Sequence, residues 1–181
     1  MTHWPVRPKN STESMANLEK NYNWDATTFF RDLVQHNKLA QEKGYRFAQV
    51  SGLAGLEEYI EQAQTATAAV CVSDISPGFT QMNNTPHTRR VKTVFMMKRH
   101  ALNDMKARQA CMDEMREIFR QMMSVLFKER TRIQEGFIYL DERVSFQEIE
   151  QYFAMGTACA YFQIGFDVYT NLVYRPEEWL S

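Results

Sequence analysis

Residues 103–132, NDMKARQACMDEMREIFRQMMSVLFKERTR, carry the pattern that decides the fold. Met105, Met112, Met115, Phe119, Met122 and Leu126 recur at spacings of seven, three, four, three and four, which sets them on one face of an α-helix. Cys111, Ile118 and Val125 lie beside that row and widen it. Lys106, Gln109, Asp113, Arg116, Glu117, Arg120 and Gln121 take the opposite face. Asn103 or Asp104 is suited to cap the start. Lys128, Arg130 and Arg132 fall at the end, where the helix dipole favours positive charge. About 27 residues at 1.5 Å each make a rod of roughly 40 Å. Such a rod must cover its apolar stripe, and candidate strands lie on both sides of it.

Before the rod, residues 1–24 are polar and aperiodic and read as an extended arm, with Trp4 and Trp24 as aromatic anchors near its two ends. The arm is either a loose terminus or an element that docks on a neighbouring subunit. Asp25 to Glu42 reads as one helix, capped by Asp25 and closed by Gly44, with Phe29, Phe30, Leu33, Val34 and Ala40 on its apolar side. Phe47 to Val50 is short and extended, and Leu53 to Gln62 is a second short helix. Thr67 to Ser73 has the continuous apolar run of a strand buried on both faces. Ser76 to Thr88 is a loop, long for a hairpin, and Arg90 to Lys98 is the returning strand. No glycine or proline separates that strand from the rod.

After the rod come an extended piece, Phe137 to Leu140, and an ambiguous stretch, Ser145 to Gln151. Ser145 with Glu148 fits a capping box, which favours a short helix or bent connection over a strand edge. Gly156 to Tyr169 alternates cleanly, with Ala158, Ala160, Phe162, Ile164, Phe166 and Val168 on one side. That face would pack on the central helix. Leu172 to Leu180 reads as a tail pinned by Tyr174 and Trp179. The expected fold class is α+β: an antiparallel sheet of about four strands on one long central helix, with N-terminal helices. Residues 25–181 then form a single domain behind the arm.

Composition narrows the function classes. The 181 residues are 44% hydrophobic and 13% aromatic, enough for a core. The net charge of −1 gives no whole-molecule attraction to nucleic acid. No apolar run approaches the roughly 20 residues that span a bilayer, so no membrane partner is expected. The first residues lack the apolar core of a signal peptide. Cys71, Cys111 and Cys159 are odd in number and far apart, which favours reduced, buried thiols in a cytoplasmic setting.

No catalytic, cofactor or metal residues emerge. His3, His36, His87 and His100 have no ligand-like spacing, and no phosphate-cradling glycine pattern is present. The acidic pairs at Glu57, Glu58 and Glu61 and at Asp141 and Glu142 read as solvated surface. One charge feature stands out. Between Arg89 and Arg108, seven basic residues face Asp104 alone, for +6. Arg89, Arg90, Lys92, Lys98 and Arg99 lie on or beside the returning strand. They read as a solvated sheet edge protected from aggregation, as a basic face pairing with an acidic neighbour, or as a phosphate-contacting surface.

The layout of N-terminal helices, the strand pair 67–73 and 90–98, the long helix and a closing alternating strand at 158–169 resembles the tail-completion or tail-terminator (head–tail joining) proteins of tailed bacteriophages and related contractile particles. The resemblance covers roughly residues 26–172 and rests on the order and lengths of elements. It implies a structural role: a homo-oligomeric ring, typically hexameric, at the end of the tail tube, contacting tube and neck proteins. It implies a location in the virion tail or neck after assembly in the host cytoplasm, with no enzyme activity and no cofactor. The arm and the 76–88 loop exceed a minimal version and would be subunit contacts. Arg89, Arg90, Lys92, Lys98, Arg99 and Trp4 are the expected interface residues. An α+β nucleic-acid-binding accessory protein is the alternative, and a small-ligand enzyme on a similar sheet ranks last.

Overall fold

A computed structural model describes residues 24–63, 66–149, 154 and 156–180. The arm, Trp4 included, lies outside the described residues, apart from Trp24. In chain order the elements are α1 (Ala26–His36), α2 (Lys38–Glu42), β1 (Tyr45–Val50), α3 (Gly52–Gln62), β2 (Ala68–Ser73), β3 (Gly78–Gln81), β4 (His87–Arg99), α4 (Met105–Glu135), β5 (Ile138–Leu140), β6 (Ser145–Glu148) and β7 (Thr157–Tyr169). A 3-10 turn, Pro176–Glu178, lies in the tail.

The class is α+β, but the sheet has seven strands rather than about four. Its order is β1-β2-β4-β7-β5, with β3 paired to β4 and β6 paired to β7. The centre is the antiparallel pair of β4 and β7, in register from His87 opposite Tyr169 to Arg99 opposite Thr157. The additional strands are short. The extended piece Phe137 to Leu140 is β5, whereas β3 and β6 have only four residues each, the lower limit for a period of two to show in sequence. Ser145–Glu148 is a strand, not a short helix, and pairs with Gln163 to Ala160 of β7. Its capping-box spelling is overridden because Phe146 packs on Phe119, ring centroids 4.8 Å apart.

The sheet is not purely antiparallel either. β1 runs parallel to β2, and a parallel neighbour needs a crossover, here α3. Helices accordingly cover both faces. On one face α1, α2 and α4 enclose Val70, Val94, Met96, Ala160, Phe162 and Phe166. On the other, Leu56 and Ile60 of α3 cover Ala69, Cys71, Phe95, Met97 and Cys159. The unbroken apolar run of β2 follows from this, since all six of its residues are buried.

Two helix boundaries differ from expectation for local reasons. The expected helix 25–42 is broken at Asn37, whose backbone is extended (φ −79°, ψ 116°). Its Oδ1 accepts from Ala40 N at 2.7 Å and caps α2, while its Nδ2 donates to Gln121 of α4 at 2.8 Å. Asparagine offers the backbone this alternative to a continuous helix. The junction between β4 and α4 is turned by Asn103, at φ +60°, a conformation asparagine tolerates better than most residues. Asp104 Oδ1 then accepts from Ala107 N at 2.9 Å and starts α4. That helix has 31 residues, or about 46 Å. Its buried row is Cys111, Met112, Met115, Ile118, Met122 and Leu126. Met105, placed in the stripe by spacing, is instead 57% exposed.

Candidate functional site

Arg89 to Arg99 was expected to form an edge. It lies instead on a central strand, flanked by β2 and β3 on one side and β7 on the other. Strand alternation also divides the five cations between the two faces. Lys98 reaches α4, where its Nζ donates to Glu114 Oε1 at 2.6 Å. Lys92 Nζ donates to the Ser73 carbonyl at 3.0 Å, and burial lowers its pKa below the ordinary lysine value. Arg99, on the opposite face, donates to the Ile60 carbonyl at the end of α3. Arg89 pairs with Asp141 and, at 3.2 Å, with Asp167. Its hydrogen bond to Asp141 raises its pKa further above the arginine value. Arg90 is exposed. The +6 stretch is thus distributed over two faces, and Arg89, Lys92, Lys98 and Arg99 each have partners within the subunit.

Gly165 makes room for the Arg89 cluster. A Cβ on Gly165 would collide with the Asp141 carboxylate and the Arg89 guanidinium. Gly165→Ala is therefore expected to destabilise by about 1–2 kcal/mol in urea unfolding, although alanine is otherwise the better residue inside a strand. A stabilised variant would show that the cluster yields without cost.

The three cysteines are buried. Burial pushes the Cys71 and Cys159 thiols up to about 12, and the Cys111 thiol also shifts upward through burial. Since the thiolate is the reactive form, iodoacetamide at pH 8 is expected to leave the folded protein unmodified by mass spectrometry and to alkylate all three in denaturant. Rapid modification of the native chain at Cys71 or Cys159 would contradict their burial. Among the described residues, no group of three or more His, Cys, Asp or Glu side chains could hold a metal ion.

An open groove of about 870 Å³ runs between α1–α2 and the second half of α4. Ser124, the one hydroxyl lining it, donates to the Gln121 carbonyl at 2.7 Å, and His36 Nδ1 donates to the Asp32 carbonyl at 2.8 Å.

Apolar exposure is the more distinctive feature, and two of the segments that carry it, the β3–β4 hairpin and the tail after β7, start from the same end of the sheet. β4 begins and β7 ends there, tied by Thr170 N donating to the Pro86 carbonyl at 3.1 Å. The β3–β4 hairpin exposes Phe79 and Met82, at 58% and 86%. The tail beyond β7 exposes Val173, Tyr174 and Trp179 at 67–69%, and Leu180 fully. Tyr174 and Trp179 were expected to pin the tail down. They stack on each other instead, centroids 6.2 Å apart. Exposed apolar side chains scattered singly are ordinary, but a concentration of them marks an interaction surface. Sequence reading passed over Phe79 and Met82 because the loop around them is rich in Asn, Pro and Thr. Neither the protein-family profiles nor the curated proteins yield a match to the chain.

Proposed function

We propose that the protein is a structural assembly component of a phage or phage-like tail, of the tail-terminator or tail-completion kind, forming a homo-oligomeric ring at the tube end and joining it to the neck. The observation that carries this is the exposure of large apolar side chains on the β3–β4 hairpin and on the tail that follows β7. Projecting, apolar-tipped segments on a rigid sheet suit contacts with other chains rather than chemistry. The role includes tube and neck proteins as partners and a place in the virion, and it involves no cofactor. The nucleic-acid alternative needs a continuous basic surface, and the division of the cations between two faces weighs against it.

Multi-angle light scattering across concentration and salt tests the reading, with an absorbance check for bound nucleic acid. The expected result is a discrete mass near six times the 21.3 kDa chain. A nucleic-acid-free monomer at every concentration, with no binding to tail-tube protein, would overturn it. Reversal of Arg89 is not a clean probe of the interface. Glutamate there would face Asp141 and Asp167 and weaken the fold itself.

A further inference from the structure

A second apolar feature is lined by neither the hairpin nor the tail. Between α4 and the turn joining β5 to β6 is a pocket of about 280 Å³, floored by Phe119, Met123, Leu126 and Leu140. Phe127 stands on its rim at 79% exposure, on a helix whose other large apolar side chains mostly face the core. The pocket is below the usual range for small-molecule sites, about 300–1,000 Å³, and is of the scale that receives one anchoring side chain. No tail residue lines the pocket of its own subunit.

We propose that the tail of one copy, anchored by Trp179, docks in this pocket on the next copy. The inference rests on the ring reading and names the contact that builds it. Charge agrees with apolar shape. Arg130, in the pocket lining, pairs within its subunit with Glu142 at 3.0 Å, and that carboxylate is 84% exposed. Such a surface bridge contributes little and is readily exchanged. The tail carries the matching pair: Glu177 and Glu178 directly before Trp179 suit Arg130, and Arg175 suits Glu142. Stacked Tyr174 and Trp179 supply an aromatic anchor of the type that dominates interface energetics. Because tail and pocket are different surfaces, the contact is heterologous and propagates head to tail, which closes into a ring when the rotation permits.

Two full-length variants test this, Trp179→Ala and Phe127→Glu. Both positions are exposed, and unchanged circular dichroism and thermal midpoints would establish that each variant folds. Light scattering of the wild type should give the ring mass. Each variant alone should remain monomeric to a concentration about tenfold or more above that at which the wild type assembles. Mixed in equal amounts, they should form pairs, since Trp179→Ala retains a working pocket and Phe127→Glu a working tail. Assembly of either variant at wild-type concentration, or a mixture that forms no pairs, overturns the docking and leaves the ring reading standing if the wild type forms a ring. A wild type that stays monomeric at every concentration overturns the docking, and the ring reading with it if the monomer also fails to bind tail-tube protein.

Discussion

Phe162→Ala should lower stability by about 3–5 kcal/mol, the usual loss when a buried phenylalanine is truncated. For a domain of this size that corresponds to a fall of roughly 6–20 °C in the thermal midpoint. Phe162 is completely buried on β7. Its ring meets Phe30 of α1 at 5.6 Å and Phe119 of α4 at 5.1 Å. Phe119 in turn meets Phe146 of β6 at 4.8 Å. One side chain therefore joins two helices and the sheet, and its loss leaves a cavity bounded by separate elements that cannot all close upon it. Phe79→Ala is the control. With Phe79 58% exposed on the hairpin, stability should change by about 0.5 kcal/mol or less, while assembly weakens. Urea unfolding of both variants decides the matter. A loss below about 2 kcal/mol at Phe162 would mean that the helices reclose over the gap.

The parts of this fold that were legible in sequence are those whose period is long enough to count. α4 presents its buried row over four turns, and β7 alternates over 13 residues. Both emerge because one face of each must be apolar along its whole length. Of the short strands, β1 and β5 were legible as extended pieces, but β3, β6 and the pairing of β1 were not. β3 is exposed at all four positions, so no burial constraint imprints an alternation on it. β1 is parallel to β2 and capped by a helical crossover, and its pairing partner is chosen by α3 rather than by any turn signal. The basic stretch misled for a related reason. A run of cations reads as one surface, yet successive residues of a strand point to opposite faces. Arg89 and Arg99 thus meet groups that Lys92 and Lys98 cannot. The partners that neutralise them, Asp141, Asp167, Glu114 and the carbonyls closing α3, are supplied from distant parts of the chain. The candidate surface was half visible: Tyr174 and Trp179 stood out as aromatics, but only the folded chain shows that both are largely exposed.

Glu114→Ala should destabilise by about 2–3 kcal/mol, more than any exposed ion pair would. The Lys98–Glu114 pair closes at 2.6 Å with side-chain exposures of only 19% and 13%. It lies between β4 and the first half of α4. Lys98 Nζ is 5.5 Å from the centroid of the Tyr45 ring, and Lys43 approaches the other carboxylate oxygen at 3.8 Å. The Tyr45 hydroxyl is buried and makes no well-formed hydrogen bond among the described residues, but the Glu114 carboxylate is close enough to act on it. Burial, followed by the Glu114 carboxylate, pushes that phenol well above its ordinary pKa. Removing Glu114 leaves a largely buried ammonium group beside a buried phenol, with the Lys43 ammonium also deprived of its partner. The cost is therefore that of an uncompensated buried charge, not merely of a lost contact. Removing both charges together should be far milder. Lys98→Met with Glu114→Leu keeps similar volumes at the β4–α4 contact and is expected to come within about 1 kcal/mol of the wild type. Urea unfolding of the single and double variants forms a double-mutant cycle. A Glu114→Ala loss under about 1 kcal/mol, or a double variant as weak as the single, would place the pair among ordinary surface bridges and leave the packing of α4 on the sheet to its apolar row alone.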